Sequence, residues 1–127
     1  MSDMRTPLGK VRGLGSAKEG TGHFWFVRVS GVALLFLSLF AIGVVLSLAS
    51  KSYEEARAVL AQPVVTIGLL LFVVLSAEHM RQGILESIHD YIHGELLKVV
   101  VIMLNTMFCL LVGAASVFAL LRMSFGG

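Results

Sequence analysis

Long apolar runs separated by short polar stretches dominate the chain. The first extends from about Phe24 to Ala49 and has no charge between Val29 and Ala49. The last extends from about Leu96 to Leu121 and is uncharged from Val99 until Arg122. Each exceeds the roughly 20 helical residues that cross a bilayer core, so each predicts a transmembrane helix. The middle run is different, because its uncharged part, Val64 to Ala77, is too short to cross alone. A crossing here must continue through Glu78, His79, Arg81 and Gln82. The expected fold is therefore an all-α membrane protein with transmembrane helices over residues 24–49, 64–88 and 96–121, forming a single domain over residues 1–127.

The polar stretches read as an arm and two connections. Residues 1–23 are glycine-rich and predict an extended or loosely ordered arm. Their glycines do not form a G-x-G-x-x-G fingerprint after a strand, so no dinucleotide site is expected. In residues 50–62, Tyr53, Ala56 and Leu60 share one helical face, which predicts a short helix lying on the membrane, with Pro63 opening the next helix. Asn105, Thr106, Gly113, Ala114, Ala115 and Ser116 give the last crossing small or hydrogen-bonding surfaces suited to helix packing.

Composition and charge narrow the class. The chain is 57% hydrophobic and 14% charged, with a mean hydropathy of +0.89, which is a membrane-protein balance. Arg5, Lys10, Arg12 and Lys18 precede the first crossing, so the amino terminus is expected in the cytoplasm and the carboxyl terminus in the periplasm. Ahead of a membrane span, such an arm reads as a topology signal or a contact for a soluble partner, and not as a nucleic-acid contact. Cys109 is the single cysteine, so the chain can neither close a disulfide nor hold an iron–sulfur cluster by itself.

The chemistry concentrates in Glu78 to His93. At about 100° per residue, Gly83, Glu86, Asp90 and His93 fall within roughly 40° of the direction of His79, while Arg81 points the opposite way. Glu78 and Arg81, spaced i,i+3, are placed to pair. Ionisable groups at this depth face a partner, a cofactor or water. Neutral imidazole can ligate haem iron, and a glycine one turn away lets a flat macrocycle approach the backbone. A histidine hydrogen-bonded to a neighbouring helix fits the same spacing, so the spacing leaves both readings open.

A histidine followed by a glycine four residues on, and by an Asp-Tyr pair eleven and twelve residues on, resembles a known family. Here these are His79, Gly83, Asp90 and Tyr91, in the second of three helices. The chain is similar to the smaller hydrophobic membrane anchor of succinate dehydrogenase (succinate:quinone oxidoreductase, complex II). A second match is GHFWFVRVSG at residues 22–31, where the family has a polar motif and an arginine entering its first span. The Ser-Pro-His and His-Arg-x-Thr-Gly signatures of the larger anchor are absent.

The resemblance implies a multi-pass subunit of the bacterial inner membrane that serves the respiratory chain and the tricarboxylic acid cycle. Such a subunit docks a flavoprotein carrying FAD and an iron–sulfur subunit carrying the clusters. It implies that His79 is an axial ligand of haem b, shared with the larger cytochrome b anchor, with Gly83 packing against the macrocycle and Arg28 near a propionate. It implies that Tyr91 hydrogen-bonds the ubiquinone headgroup, with Asp90 supporting it. No complete active site is expected on this chain alone. The competing readings are an anchor of fumarate reductase or another quinone-linked dehydrogenase, and a non-enzymatic three-helix scaffold or transporter.

Overall fold

The computed structural model describes residues 6–13 and 20–125. Among the described residues all regular structure is helical, in the order α1 (Pro7–Val11), α2 (Thr21–Leu48), α3 (Tyr53–Leu60), α4 (Pro63–Tyr91) and α5 (Glu95–Phe125). Three of these, α2, α4 and α5, have the length and apolar composition to cross a membrane. At 28, 29 and 31 residues they run about 42–46 Å, enough to traverse the hydrocarbon and enter both headgroup layers. The three-crossing, all-α expectation holds.

Several boundaries differ from the sequence reading, each for a local reason. The arm is not extended throughout: Thr6 caps α1 by accepting a hydrogen bond from the Gly9 amide at 3.1 Å, and Pro7 suits the first helical position. The remainder of the arm, residues 1–5 and 14–19, lies outside the described residues. α2 begins at Thr21, where the positive φ of 112° at Gly20 sets the entry. α5 continues past Arg122 to Phe125, as a cation in the last turn favours the carbonyl end of a helix. α4 stops at Tyr91, and the extended Ile92 (φ −104°, ψ 112°) turns His93 out of the helical stripe in which the sequence placed it.

The short helix α3 forms where its amphipathic spacing predicts. Ser52 and Glu55 make a reciprocal capping box, with the Ser52 amide and hydroxyl each donating to Glu55 Oε2 at 2.9 Å. These bonds from Ser52 hold the Glu55 carboxyl below its usual range. A lowered pKa means that the box supports α3 at neutral pH and loses that support as the pH falls through the folded-state value.

The helix α4 is the middle member of the assembly, packed against α2 on one side and α5 on the other, with α3 resting on α4 and α5. Burial is sparse, and three of the buried residues, Ser30, Thr66 and Asn105, are polar. Lipid offers no hydrophobic force to drive helices together, so close packing and interhelical hydrogen bonds supply the cohesion. Asn105 Nδ2 donates to the Arg81 carbonyl at 3.0 Å, tying α5 to α4. At the opposite end Thr66 and Ser124 both donate to the Leu60 carbonyl, at 2.6 and 3.0 Å, satisfying a helix-end acceptor of α3 from α4 and α5. Glycine allows the closest approaches. A Cβ at Gly68 would lie 2.5 Å from the Phe40 ring, and one at Gly113 would lie 3.2 Å from Ala77 Cβ.

These contacts rank in a testable order. Gly113→Leu must push α5 away from α4 and is expected to cost about 1–3 kcal/mol as overpacking. Asn105→Leu removes one interhelical hydrogen bond and is expected to cost about 0.6 kcal/mol. Thermal unfolding in mild detergent should show the larger drop for Gly113→Leu; the reverse order would make polar pairing, not close packing, the main tie between α4 and α5.

Candidate functional site

His79 sits half-buried on α4 where that helix meets α2. Its Nδ1 lies 2.9 Å from Ser30 Oγ, and Ser30 is only 3% exposed. The Ser30 hydroxyl also donates to the Val27 carbonyl at 3.1 Å, the back-bond to the preceding turn that helical serines commonly make. Gly31 faces the ring from the same helix, since a Cβ there would stand 3.6 Å from His79 Cε1. The imidazole is thus held by a hydroxyl and rests close to the backbone of α2.

Seven residues along each helix, in opposite directions, a second polar pair repeats the contact. His23 Nε2 meets Glu86 Oε1 at 2.9 Å. Seven residues are nearly two full turns, so His23 and Ser30 share a face of α2 just as His79 and Glu86 share a face of α4. The outer pair is substantially exposed, at 40% and 57% for the two side chains, and adds more to register than to stability.

On the other side of the imidazole the site is open. Gly83 is exposed, and nothing lies within 4 Å of the position a Cβ would take. Among the described residues no protein group bonds His79 Nε2, whereas Nδ1 is taken by Ser30. An apolar groove of about 310 Å³ lies beside this contact, lined by Trp25, Phe26, Val29, Ser30, Ala33 and Leu75. The groove includes neither His79 nor Gly83, so the features suited to a flat ligand are the held imidazole and the gap over the glycine. Among the described residues no three potential metal ligands converge, so His79 offers a single coordination position.

Glu78 and Arg81 are turned away from the imidazole and toward each other. Arg81 Nε donates to Glu78 Oε2 at 2.8 Å, and Gln82 Nε2 donates to Glu78 Oε1 at 2.8 Å, so the expected i,i+3 pair forms and gains a third member. Cys109 on α5 is buried and donates its thiol to Asn105 Oδ1 at 3.4 Å, which makes it a packing residue.

The other residues singled out by sequence are spread along the fold. Arg28 is exposed, with its guanidinium 3.7 Å from the centre of the Phe24 ring. It stands two residues before Ser30, about 200° around α2, so this chain alone does not bring it to His79. Asp90 and Tyr91 occupy the last turn of α4, about 18 Å along the axis from His79. Tyr91 is 82% exposed. Among the described residues no hydrogen bond links Asp90 to Tyr91, because neighbours on a helix point about 100° apart. Ser30, Gly31 and His23 were not singled out as site residues. Ser30 is one of three serines in the first apolar run, with Ser38 and Ser47, and only its place one heptad from His23, inside the stretch GHFWFVRVSG, sets it apart.

Comparison with known proteins gives this arrangement a family. The model described as "Succinate dehydrogenase/Fumarate reductase transmembrane subunit" matches residues 2–120. A succinate dehydrogenase hydrophobic membrane anchor subunit of Paracoccus denitrificans is 37% identical over 121 residues, covering 95% of this chain and 93% of the relative. One of the same description from Rickettsia conorii is 31% identical over 121 residues, covering 93% and 94%. No solved structure matches the chain. With three apolar crossings and a family match over nearly its whole length, this multi-pass protein of the bacterial inner membrane belongs to the succinate dehydrogenase/fumarate reductase transmembrane subunit family.

Proposed function

We propose that the chain is the hydrophobic membrane anchor of a succinate:ubiquinone oxidoreductase. In this reading it docks the flavoprotein and iron–sulfur subunits at the cytoplasmic face, beside a larger cytochrome b anchor. It contributes one axial ligand to haem b and part of the ubiquinone site. FAD and the iron–sulfur clusters reside in the partners. The observation that carries the reading is the environment of His79: Nδ1 is held by Ser30, Nε2 has no protein partner among the described residues, and the space beside Gly83 is open. The succinate dehydrogenase anchor descriptions of the relatives support it and favour it over a fumarate reductase anchor, a scaffold or a transporter.

The residues present fit a haem, which supplies a one-electron redox centre when bound. His79 would hold the iron through Nε2, Gly83 would give the macrocycle room, and the larger anchor would provide the second ligand. Arg28, exposed on α2 near the same end of the bundle, is available to a propionate of a group lying along that helix. Tyr91 acts elsewhere, at the end of α4. Its exposed phenol can donate a hydrogen bond to a quinone carbonyl as charge develops there, and Asp90 offers a carboxylate to pass protons from the headgroup layer.

Orientation follows from the basic arm, which keeps the amino terminus in the cytoplasm. Tyr91 then emerges on the side where the soluble subunits dock, and the α2–α3 connection faces the periplasm.

Three outcomes test these roles. In complex purified through a tag on this chain, His79→Ala should reduce or abolish haem absorption; an unchanged spectrum removes His79 as the ligand. Tyr91→Phe should slow succinate-driven ubiquinone reduction about 10²-fold or more, as loss of a charge-stabilising donor does, while sparing succinate oxidation by an artificial acceptor. Equal loss with both acceptors would argue against a quinone role. Lys51→Cys should react with an impermeant maleimide added to the periplasmic side, with buried Cys109 silent; labelling only from the cytoplasmic side inverts the topology.

A further inference from the structure

We infer that Ser30 is a positioning residue for the His79 imidazole: its hydroxyl selects the ring tautomer that leaves Nε2 free to ligate, and makes that nitrogen a stronger electron donor. The inference rests on the reading of His79 as a haem ligand. It uses a residue on α2, whereas the ligand is on α4.

A serine hydroxyl has one proton and two acceptor lone pairs. The Val27 carbonyl, 3.1 Å from Oγ, is an acceptor for that proton within α2 itself. With the proton on that carbonyl, Ser30 presents a lone pair to His79 Nδ1, 2.9 Å away. In that arrangement Nδ1 carries the ring hydrogen, and in a neutral imidazole the lone pair falls on Nε2. That is the nitrogen with no protein partner among the described residues. The opposite tautomer would place an N–H where iron has to bind.

Burial makes this arrangement persistent. Ser30 is 3% exposed, so water does not compete for Oγ. Gly31 lies across from the ring edge, where even a Cβ would stand at ordinary contact distance, 3.6 Å from Cε1. An acceptor on the outer nitrogen of a metal-bound imidazole raises the basicity of the ligating nitrogen, and such hydrogen bonds are among the levers that set haem potential. A more basic ligand favours the ferric state over the ferrous and lowers the midpoint potential. The packing of α2 on α4 therefore tunes the iron as well as the fold.

The test compares complex carrying wild-type, Ser30→Ala, Ser30→Thr or His79→Ala anchor, with haem content read from absorption and midpoint potential from redox titration. Ser30→Ala is expected to retain haem at a raised midpoint potential, and Ser30→Thr, which restores a hydroxyl, to return it toward the wild-type value. A purely structural Ser30 would change haem occupancy without moving the potential of the haem retained. An unchanged or lowered potential in Ser30→Ala overturns the inference while leaving ligation by His79 intact. Undiminished haem in His79→Ala overturns the ligation reading and the inference with it.

Discussion

Hydrocarbon cannot hydrogen-bond, and this constraint organises the protein. A polar group carried into the membrane must find its partner on a helix, because lipid supplies none. The helix α4 carries the greatest polar load, and it is the helix packed between α2 and α5. Its imidazole is satisfied by Ser30 on one side, and the Arg81 carbonyl receives Asn105 on the other. The buried residues of the bundle accordingly include a serine, a threonine and an asparagine, each hydrogen-bonded.

The same constraint separates two kinds of intramembrane polarity. Glu78, Arg81 and Gln82 compensate one another within a single turn of α4, leaving little need for an outside charge. His79 is satisfied at one nitrogen only. A self-contained cluster reads as structure, whereas a half-satisfied ring beside an open glycine reads as a site. The two possibilities raised by the spacing, a packing histidine and a ligand, are compatible. One ring nitrogen serves the helix interface, and the other has no protein partner among the described residues.

Distance along α4 divides the proposed labour. His79 lies within the α2 contact, while Asp90 and Tyr91 occupy the final turn, exposed toward the headgroup layer. A group buried in the bundle and a phenol at its edge can therefore serve different partners from one rigid helix. The exposed apolar faces of α2 and α5 are what a membrane anchor needs for lipid and for companion helices.

Much of this was legible in the chain itself. Two apolar runs of spanning length, and a third that crosses only by carrying Glu78, His79, Arg81 and Gln82 with it, determined three crossings, because a backbone in lipid has few ways to satisfy its own hydrogen bonds. Helical spacing put His79, Gly83 and Glu86 on one face and Glu78 within reach of Arg81, since such relations depend on one helix alone. Tertiary structure decided what lies opposite each face: that Ser30 meets His79 and that His23 meets Glu86. It also decided where helices stop, so that His93 leaves the stripe while Asp90 and Tyr91 remain on α4. Register between helices arises from packing across the interface, where a glycine or a hydroxyl on one helix acquires its role only once the other is in place.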